Sequence, residues 1–441
     1  VNGRRILLAR VLRSFGYGFL SVVLAIYLAL LGLNSLQIGL LLTTALLGSM
    51  LLTLLFSFIA DRWGRRRVLI ICATLMAASG LAFALVDNLW LLLAASLTGT
   101  ISATSGEVGP FLALEQAILP QTLIKPEART RLFALYNLLG SFAGAVGALF
   151  SGLVAALTSF FFPTQPLLAD RLLLILYGLL AVVNLLIFLR LSEAVELVVE
   201  PAATATNLSR QRLSSRSRGV IFKLSALFSL DAFAGGLVVQ SVVAYWFSLK
   251  FGLGLETLGP IFFGANTLSA LSFLVAERVA AHIGLINTMV FTHLPSNVLL
   301  MLVPFMPDVT LAVALLLLRQ ALSQMDVPTR QSYTMAVVEP QERVAAAGFT
   351  SVARSGAQAI SPVISGYALG VVALGLPFIL AGGLKIGYDL ALWFTFHHLK
   401  PAEELNNKAE PRLPENNPPL TQASLEFKET KQERVVDSTD L

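Results

Sequence analysis

Apolar runs of twenty residues or more follow one another along the chain to about residue 398, separated by short stretches that hold most of the glycine, proline and charge. In hydrocarbon the backbone must satisfy its own hydrogen bonds, and a helix needs about 20 apolar residues to cross about 30 Å. That length predicts twelve helical spans, near 6–32, 36–59, 68–86, 89–118, 132–157, 170–191, 220–249, 256–279, 286–305, 309–333, 344–370 and 376–398. Two stretches break the pattern. Residues 192–219 carry Glu193, Glu196, Glu200 and Pro201 and then Arg210 to Arg218, and they fall after six spans. From Lys400 onward, prolines, charges and asparagines predict a disordered tail. The expected organisation is a six-helix bundle over 1–191, a linker over 192–219, a second six-helix bundle over 220–399, and the tail.

Composition agrees with the pattern. Of 441 residues, 56% are hydrophobic and 13% charged, against soluble norms of about 45–50% and about 25%. The fold class expected is therefore an all-α membrane protein. The first span is not a signal peptide, because its apolar run is too long and contains Arg10 and Arg13. With one cysteine, Cys72, no intrachain disulfide can form, and four histidines make a Cys/His metal set improbable. No cofactor or metal is expected.

A formal charge of +5 would suggest nucleic acid in a soluble domain, but topology explains it better. With a cytoplasmic amino terminus, Arg4, Arg5, Arg62, Arg65, Arg66, Arg67, Lys125, Arg129, Arg131, Arg210, Arg212, Arg216, Arg218, Arg278 and Arg343 all fall inside, and only Arg171 and Lys250 outside. The positive-inside rule then puts both termini in the cytoplasm and removes the reason to invoke nucleic acid.

The two halves resemble each other. A shift of 220 residues superimposes Ser21-Val22-Val23 on Ser241-Val242-Val243, Gly32-Leu33 on Gly252-Leu253, Gly39 on Gly259 and Gly64 on Gly284, with no gap. Two related six-helix units in parallel are a transporter architecture, with a site between the halves near the midplane and alternating access by rocking about it.

Between the second and third spans lies Ser57-Phe58-Ile59-Ala60-Asp61-Arg62-Trp63-Gly64-Arg65-Arg66-Arg67. This resembles the loop signature of the major facilitator superfamily, Gly-x-Leu-Ala-Asp-Arg-x-Gly-Arg-Arg, with Ser57 and Ile59 as departures. Physically, Asp61 can cap a neighbouring helix amino terminus, Gly64 permits a tight turn, and Arg65 can pair with a carboxylate on another helix. The resemblance implies a latch between halves formed by Asp61, Arg62, Gly64 and Arg65. In the second copy Ala281 stands where Asp61 does, which implies an asymmetric latch. The resemblance also implies that the first, fourth, seventh and tenth spans line a central cavity.

Ionisable groups inside spans are costly and are functional candidates by default. Glu107, beside Gly106, Gly109 and Pro110, is expected to carry a proton or cation, with a structural ion pair to Arg13 as the alternative. Asp231 is its second-half counterpart, and Gln240 offers an amide to a substrate or a neighbouring helix. Arg319, Asp326 and Arg330 share a helical face. Asp326 and Arg330 are expected to pair as part of the gate, and Arg319, without a partner on its own helix, to form an anion-binding set with Arg13 and Arg354. Glu115 is expected to join Arg65 in the gate. Lys385 and Asp389, four residues apart, are expected to satisfy each other at the periphery.

The fifth span holds Gly140, Gly144, Gly147 and Gly152, allowing close helix approach. Drug exporters of the superfamily carry Gly-x-x-x-Gly-Pro there, but Ala145 replaces the proline, and the arginine they carry in the fourth span is missing. The function expected is a secondary transporter working as a monomer, a proton-coupled exporter of small organic compounds; the alternatives are transport of an organic anion and a non-transporting receptor. No enzyme motif is present. The Val1 start, read as an alternative initiator, points to a bacterial inner membrane.

Overall fold

The computed structural model describes residues 2–106, 109–119, 129–196, 215–338 and 342–398, with only the backbone described for a few helix residues including Asp61, Arg129, Arg131, Arg216 and Arg343. Residues 197–214 of the expected linker and the expected tail lie outside the described residues.

The chain is an all-α membrane protein of twelve spans in two pseudo-symmetric six-helix bundles. Among the described residues no strand occurs, and the α-helices are α1 (Asn2–Leu30), α2 (Ser35–Trp63), α3 (Arg65–Leu85), α4 (Leu89–Leu97), α5 (Pro110–Ile118), α6 (Arg129–Phe161), α7 (Leu168–Leu189), α8 (Ser215–Gly236), α9 (Gln240–Phe251), α10 (Leu255–Ile283), α11 (Leu285–Leu302), α12 (Val309–Ser323), α13 (Asp326–Ala336), α14 (Arg343–Tyr367) and α15 (Leu376–Phe396). Ten spans among the described residues are long and apolar enough to cross a membrane. The fourth falls short because it is interrupted. The eleventh, α14, carries Arg354, Gln358 and several serines.

Three spans predicted as continuous helices are broken. The fourth stops at Leu97 and resumes at Pro110, where Gly109 at φ 132° and a proline at the first helical position suit a new start. The seventh breaks between Gly236 and Gln240, and the tenth between Ser323 and Asp326. Each break frees backbone polar groups, which a membrane span tolerates only where it is buried in protein or lines a cavity.

The 220-residue repeat is visible in the backbone. Gly32 and Gly252 both take positive φ, at 86° and 66°, and so do Gly64 and Gly284, at 95° and 88°. Gly64 and Gly284 each end one helix and begin the next, at the α2/α3 and α10/α11 corners.

Close approach between the bundles follows the same symmetry. A Cβ on Gly39 of α2 would run into the Pro362 carbonyl oxygen of α14, and one on Gly259 of α10 would stand 2.7 Å from the Gly152 nitrogen of α6. Ser35 and Tyr245 join their hydroxyls at 3.0 Å, and the Val363 N–H donates to Thr43 Oγ1 at 2.9 Å. These contacts seal the halves together at the end of the bundle that carries the turns 31–34 and 252–254. Within the first half, α1 and α6 interlock backbone to backbone, Gly18 against Gly144 and Gly147 against Phe15.

Candidate functional site

Two buried polar clusters occupy equivalent places in the two bundles. In the first half, Arg13 of α1 donates to Glu115 of α5 at 2.6 Å and to Asn184 of α7 at 3.3 Å, and Tyr136 of α6 donates to the same Glu115 oxygen at 2.8 Å. The Arg13 guanidinium also lies 4.4 Å from the Phe111 ring centroid. Both Arg13 and Glu115 are fully buried. In the second half, Asp231 of α8 accepts from Lys385 of α15 at 2.5 Å, Arg330 of α13 at 3.1 Å and Arg354 of α14 at 3.4 Å. The first, fourth, fifth and sixth spans thus supply Arg13, Glu115, Tyr136 and Asn184. The seventh, tenth, eleventh and twelfth supply Asp231, Arg330, Arg354 and Lys385. The constellation is the same with its sign reversed: a cation held by an acid in one half, an acid held by three cations in the other.

The second cluster opens onto space. A cavity of about 410 Å³ lies between the bundles, walled by α1, residues 104–106 and α6 on one side and by helices from α8 to α15 on the other. Arg10, Arg319, Arg330, Arg354 and Lys385 line it, against the carboxylates Asp231 and Asp326 among the described residues. Asp326 takes Arg330 Nη1 at 2.8 Å, one helical turn away. Arg319 Nη1 donates to Gln320 Oε1 at 2.8 Å, while its Nε is buried with no partner. Across the cavity Asn266 accepts from Ser105 at 3.2 Å, and its own amide nitrogen is buried without a partner. Gln240, at the start of α9, lines the cavity and donates to Ser21 Oγ at 2.8 Å. A cavity with surplus cationic donors in a low-dielectric surround carries a field that attracts anions.

Several expected sites sit differently. Glu107 lies outside the described residues, and so does the side chain of Asp61. Arg13 is not among the residues that line the cavity with Arg319 and Arg354; it pairs with Glu115. Glu115 in turn is not joined to Arg65. The break after Leu97 restarts the helix register at Pro110 and turns Glu115 inward, to Arg13 and Tyr136. Lys385 and Asp389 are not a peripheral pair. Lys385 reaches Asp231 in the cavity wall, and Asp389 takes His293 Nδ1 at 2.9 Å and Asn297 Nδ2 at 2.9 Å. Arg319 does have a partner on its own helix, its neighbour Gln320. The expected pairing of Asp326 with Arg330 is present.

At the basic loop, Arg62 is exposed and Gly64 makes the turn with positive φ. The backbone N–H groups of Arg65 and Arg66, at the α3 amino terminus, donate to Glu196 at 2.6 and 3.1 Å, and Arg65 Nη1 donates to the Ala117 carbonyl at 3.4 Å. The anion capping this helix is therefore Glu196, from the segment after α7.

Sequence reasoning missed Tyr136, Asn184, Glu196 and His293. His293 carried a usable signal, an ionisable side chain inside an apolar span. Asn184 and Tyr136 looked like ordinary packing residues.

Two bundles related by a parallel repeat around a polar cavity define a membrane transport protein. The sequence profile of the Major Facilitator Superfamily matches residues 6–362, and the chain belongs to that family. It is 29% identical over 411 residues to the Uncharacterized membrane protein YJR124C of Saccharomyces cerevisiae, covering 87% of this chain and 92% of that one. Its fold is similar to that of a mutant of the nucleoside transporter NupG, with a TM-score of 0.71 at 15% identity over 90% of this chain and 100% of that one. It is also similar to the human organic anion transporter MFSD10 (TETRAN), with a TM-score of 0.58 at 17% identity over 88% of this chain and 99% of that one. These likenesses show a fold shared with solved membrane transporters.

Proposed function

We propose that this transporter moves a small organic anion, by alternating access of the two bundles around the central cavity. The observation that carries the reading is the excess of cationic side chains over carboxylates on the cavity wall among the described residues, with Arg319 Nε lacking a partner. An anion seated against Arg319, Arg354 and Lys385 would supply the compensation that Asp231 and Asp326 leave incomplete, and the amides of Asn266 and Gln240 would meet its neutral part. That MFSD10 is described as an organic anion transporter is compatible with this assignment.

The test is flux into proteoliposomes of radiolabelled succinate, gluconate and glucose 6-phosphate, with glucose and uridine as neutral comparators and choline as a cation. Transport confined to one or more of the anions, and lost in Arg319→Gln, supports the reading. Transport of the neutral or cationic solutes alone sinks it.

A second reading, proton-coupled export of small organic compounds, turns on Asp231, a single carboxylate that holds three cations. Its protonation would release all three, and Glu107 would be the matching acid in the first half. In either reading Asp61, Arg62, Gly64 and Arg65 form the latch with Glu196 beside them, and Asp326 and Arg330 form the counterpart gate. The arginine distribution supports cytoplasmic termini, a monomer suffices for the cavity, and the boundaries of the halves fall near 191 and 220.

A further inference from the structure

His293 is the one imidazole on the cavity wall among the described residues, and neither reading above uses it. It stands on α11, two residues before Pro295. Its Nδ1 is engaged by Asp389 Oδ1 at 2.9 Å, and the other oxygen of Asp389 is held by Asn297 Nδ2 at 2.9 Å. Asp389 is fully buried and His293 nearly so. With Nδ1 committed to the carboxylate, Nε2 is the nitrogen left to exchange a proton with the cavity. An imidazole whose far nitrogen is fixed by a buried carboxylate has its tautomer and orientation set, and the carboxylate compensates the charge when the ring takes up a proton.

The surroundings decide what that charge would do. On α15, Lys385 and Tyr388 face the pair together with Asp389, and the Tyr388 ring centre is 6.2 Å from that of His293. From α8 comes Asp231, which holds Lys385. From α12 comes Arg319, whose carbonyl accepts from Ser296 of α11. From α13 come Asp326 and Arg330, both on the cavity wall with His293. A proton arriving at His293 therefore joins a wall that is already cationic. That addition is costly in an empty cavity and is relieved when an anion is present.

We propose that the His293–Asp389 pair is the proton-coupling site, and that the proton travels with the anion in the same direction. The proton comes from water in the cavity and adds to the Nε2 lone pair; Nδ1–H stays donated to Asp389. It leaves to water when the cavity faces the other side and the anion departs, and no other bond changes. The proposal rests on the anion reading of the cavity and fixes its coupling as symport.

The experiment uses the full chain in proteoliposomes with the same three labelled anions. Accumulation is driven by an inward proton gradient, and counterflow of labelled against unlabelled anion is measured with no gradient. The expected result is gradient-driven accumulation in the wild type and its loss in His293→Gln, with counterflow persisting at a reduced rate, so that a folded but uncoupled carrier is seen. Asp389→Asn keeps the imidazole and removes its counter-charge, so the pH profile of uptake should move to the acid side. Calorimetry in two buffers of different ionisation enthalpy should show about one proton taken up per anion bound by the wild type and none by His293→Gln. Accumulation or linked proton uptake retained in His293→Gln overturns the proposal, as does wild-type counterflow that no proton gradient can drive uphill. If the wild type neither exchanges nor binds any of the anions, the anion reading itself falls, and the proposal with it.

Discussion

Ser241 donates through its hydroxyl to the carbonyl oxygen of Ser21 at 2.9 Å, and the two residues hold the same place in the 220-residue repeat. A pseudo-two-fold axis that relates the halves brings a residue against its own counterpart only beside the axis. If the halves rock as proposed, the α1–α9 contact is the expected pivot, and the Ser35–Tyr245 and Gly39–Pro362 contacts, toward the end that carries the turns 31–34 and 252–254, are the ones that separate. Locking Ser35→Cys to Tyr245→Cys with a short thiol cross-linker should stop transport, and locking Ser21→Cys to Ser241→Cys should leave most of the rate. Native Cys72 is fully buried and gives little background labelling. Equal loss from both cross-links would remove the pivot from this position.

The seal can be tested by volume. A leucine at Gly39 or Gly259 places its first carbon inside contact distance of backbone on the opposite half, and backbone cannot move aside as a flexible side chain can. Both substitutions should hold this end apart, and they should do so alike because the sites are symmetry mates. The measurement is maleimide labelling of a cysteine placed at Ser35: labelling should rise in both variants and transport should fall. A rise in only one of them would show that the two seals are not equivalent.

Span number, the basic loop, the repeat and the intramembrane ions were all legible in the sequence, because each depends on composition or spacing along a single helix. Partners were not. Arg13 could be placed in a span, but its pairing with Glu115 depends on where the fourth span breaks, because that break resets the helix register from Pro110 onward. Lys385 and Asp389 are spaced to pair, yet Asp231 and His293 lie across the helix interface and claim one each. Glu196 sits in a stretch that reads as linker, and only the fold brings it to the amino terminus of α3.

Breaking a fully buried ion pair by removing one member costs about 3–5 kcal/mol. Glu115→Gln should therefore lower the melting temperature of the protein in detergent, and Tyr136→Phe, which deletes one hydrogen bond to a charged group, should cost about 1.5–3 kcal/mol. The double variant Arg13→Met, Glu115→Leu should recover part of the loss. A Glu115→Gln protein as stable as the wild type would mean that the Arg13 pair contributes nothing to holding α1 on α5.

Glu196 accepts from two successive N–H groups at the start of α3, where the helix dipole favours an anion. Glu196→Ala should cost about 1 kcal/mol, as loss of an N-terminal cap does. Glu196→Asp, with a shorter reach, should fall between. Melting curves of the three proteins at low and high salt check this, since a charge at a helix end should matter less as salt rises. An unchanged melt in Glu196→Ala would show that Gly64 and the α3 backbone hold the corner by themselves.

Asp231→Asn separates the two transport readings. Neutralising this carboxylate leaves Lys385, Arg330 and Arg354 without their shared counter-charge, so the protein should melt at a lower temperature when no substrate is added. If the cavity binds anions, the three cations become available to the ligand. Affinity should then tighten by about tenfold, turnover should slow because release is harder, and the transported anion should restore the melting temperature through its preference for the folded state. If Asp231 is instead a proton carrier for export, the same variant should lose its response to a pH gradient, with no anion stabilising it. Thermal melts of Asp231→Asn with and without succinate, gluconate and glucose 6-phosphate distinguish these outcomes, and destabilisation that none of the three reverses counts against the anion site.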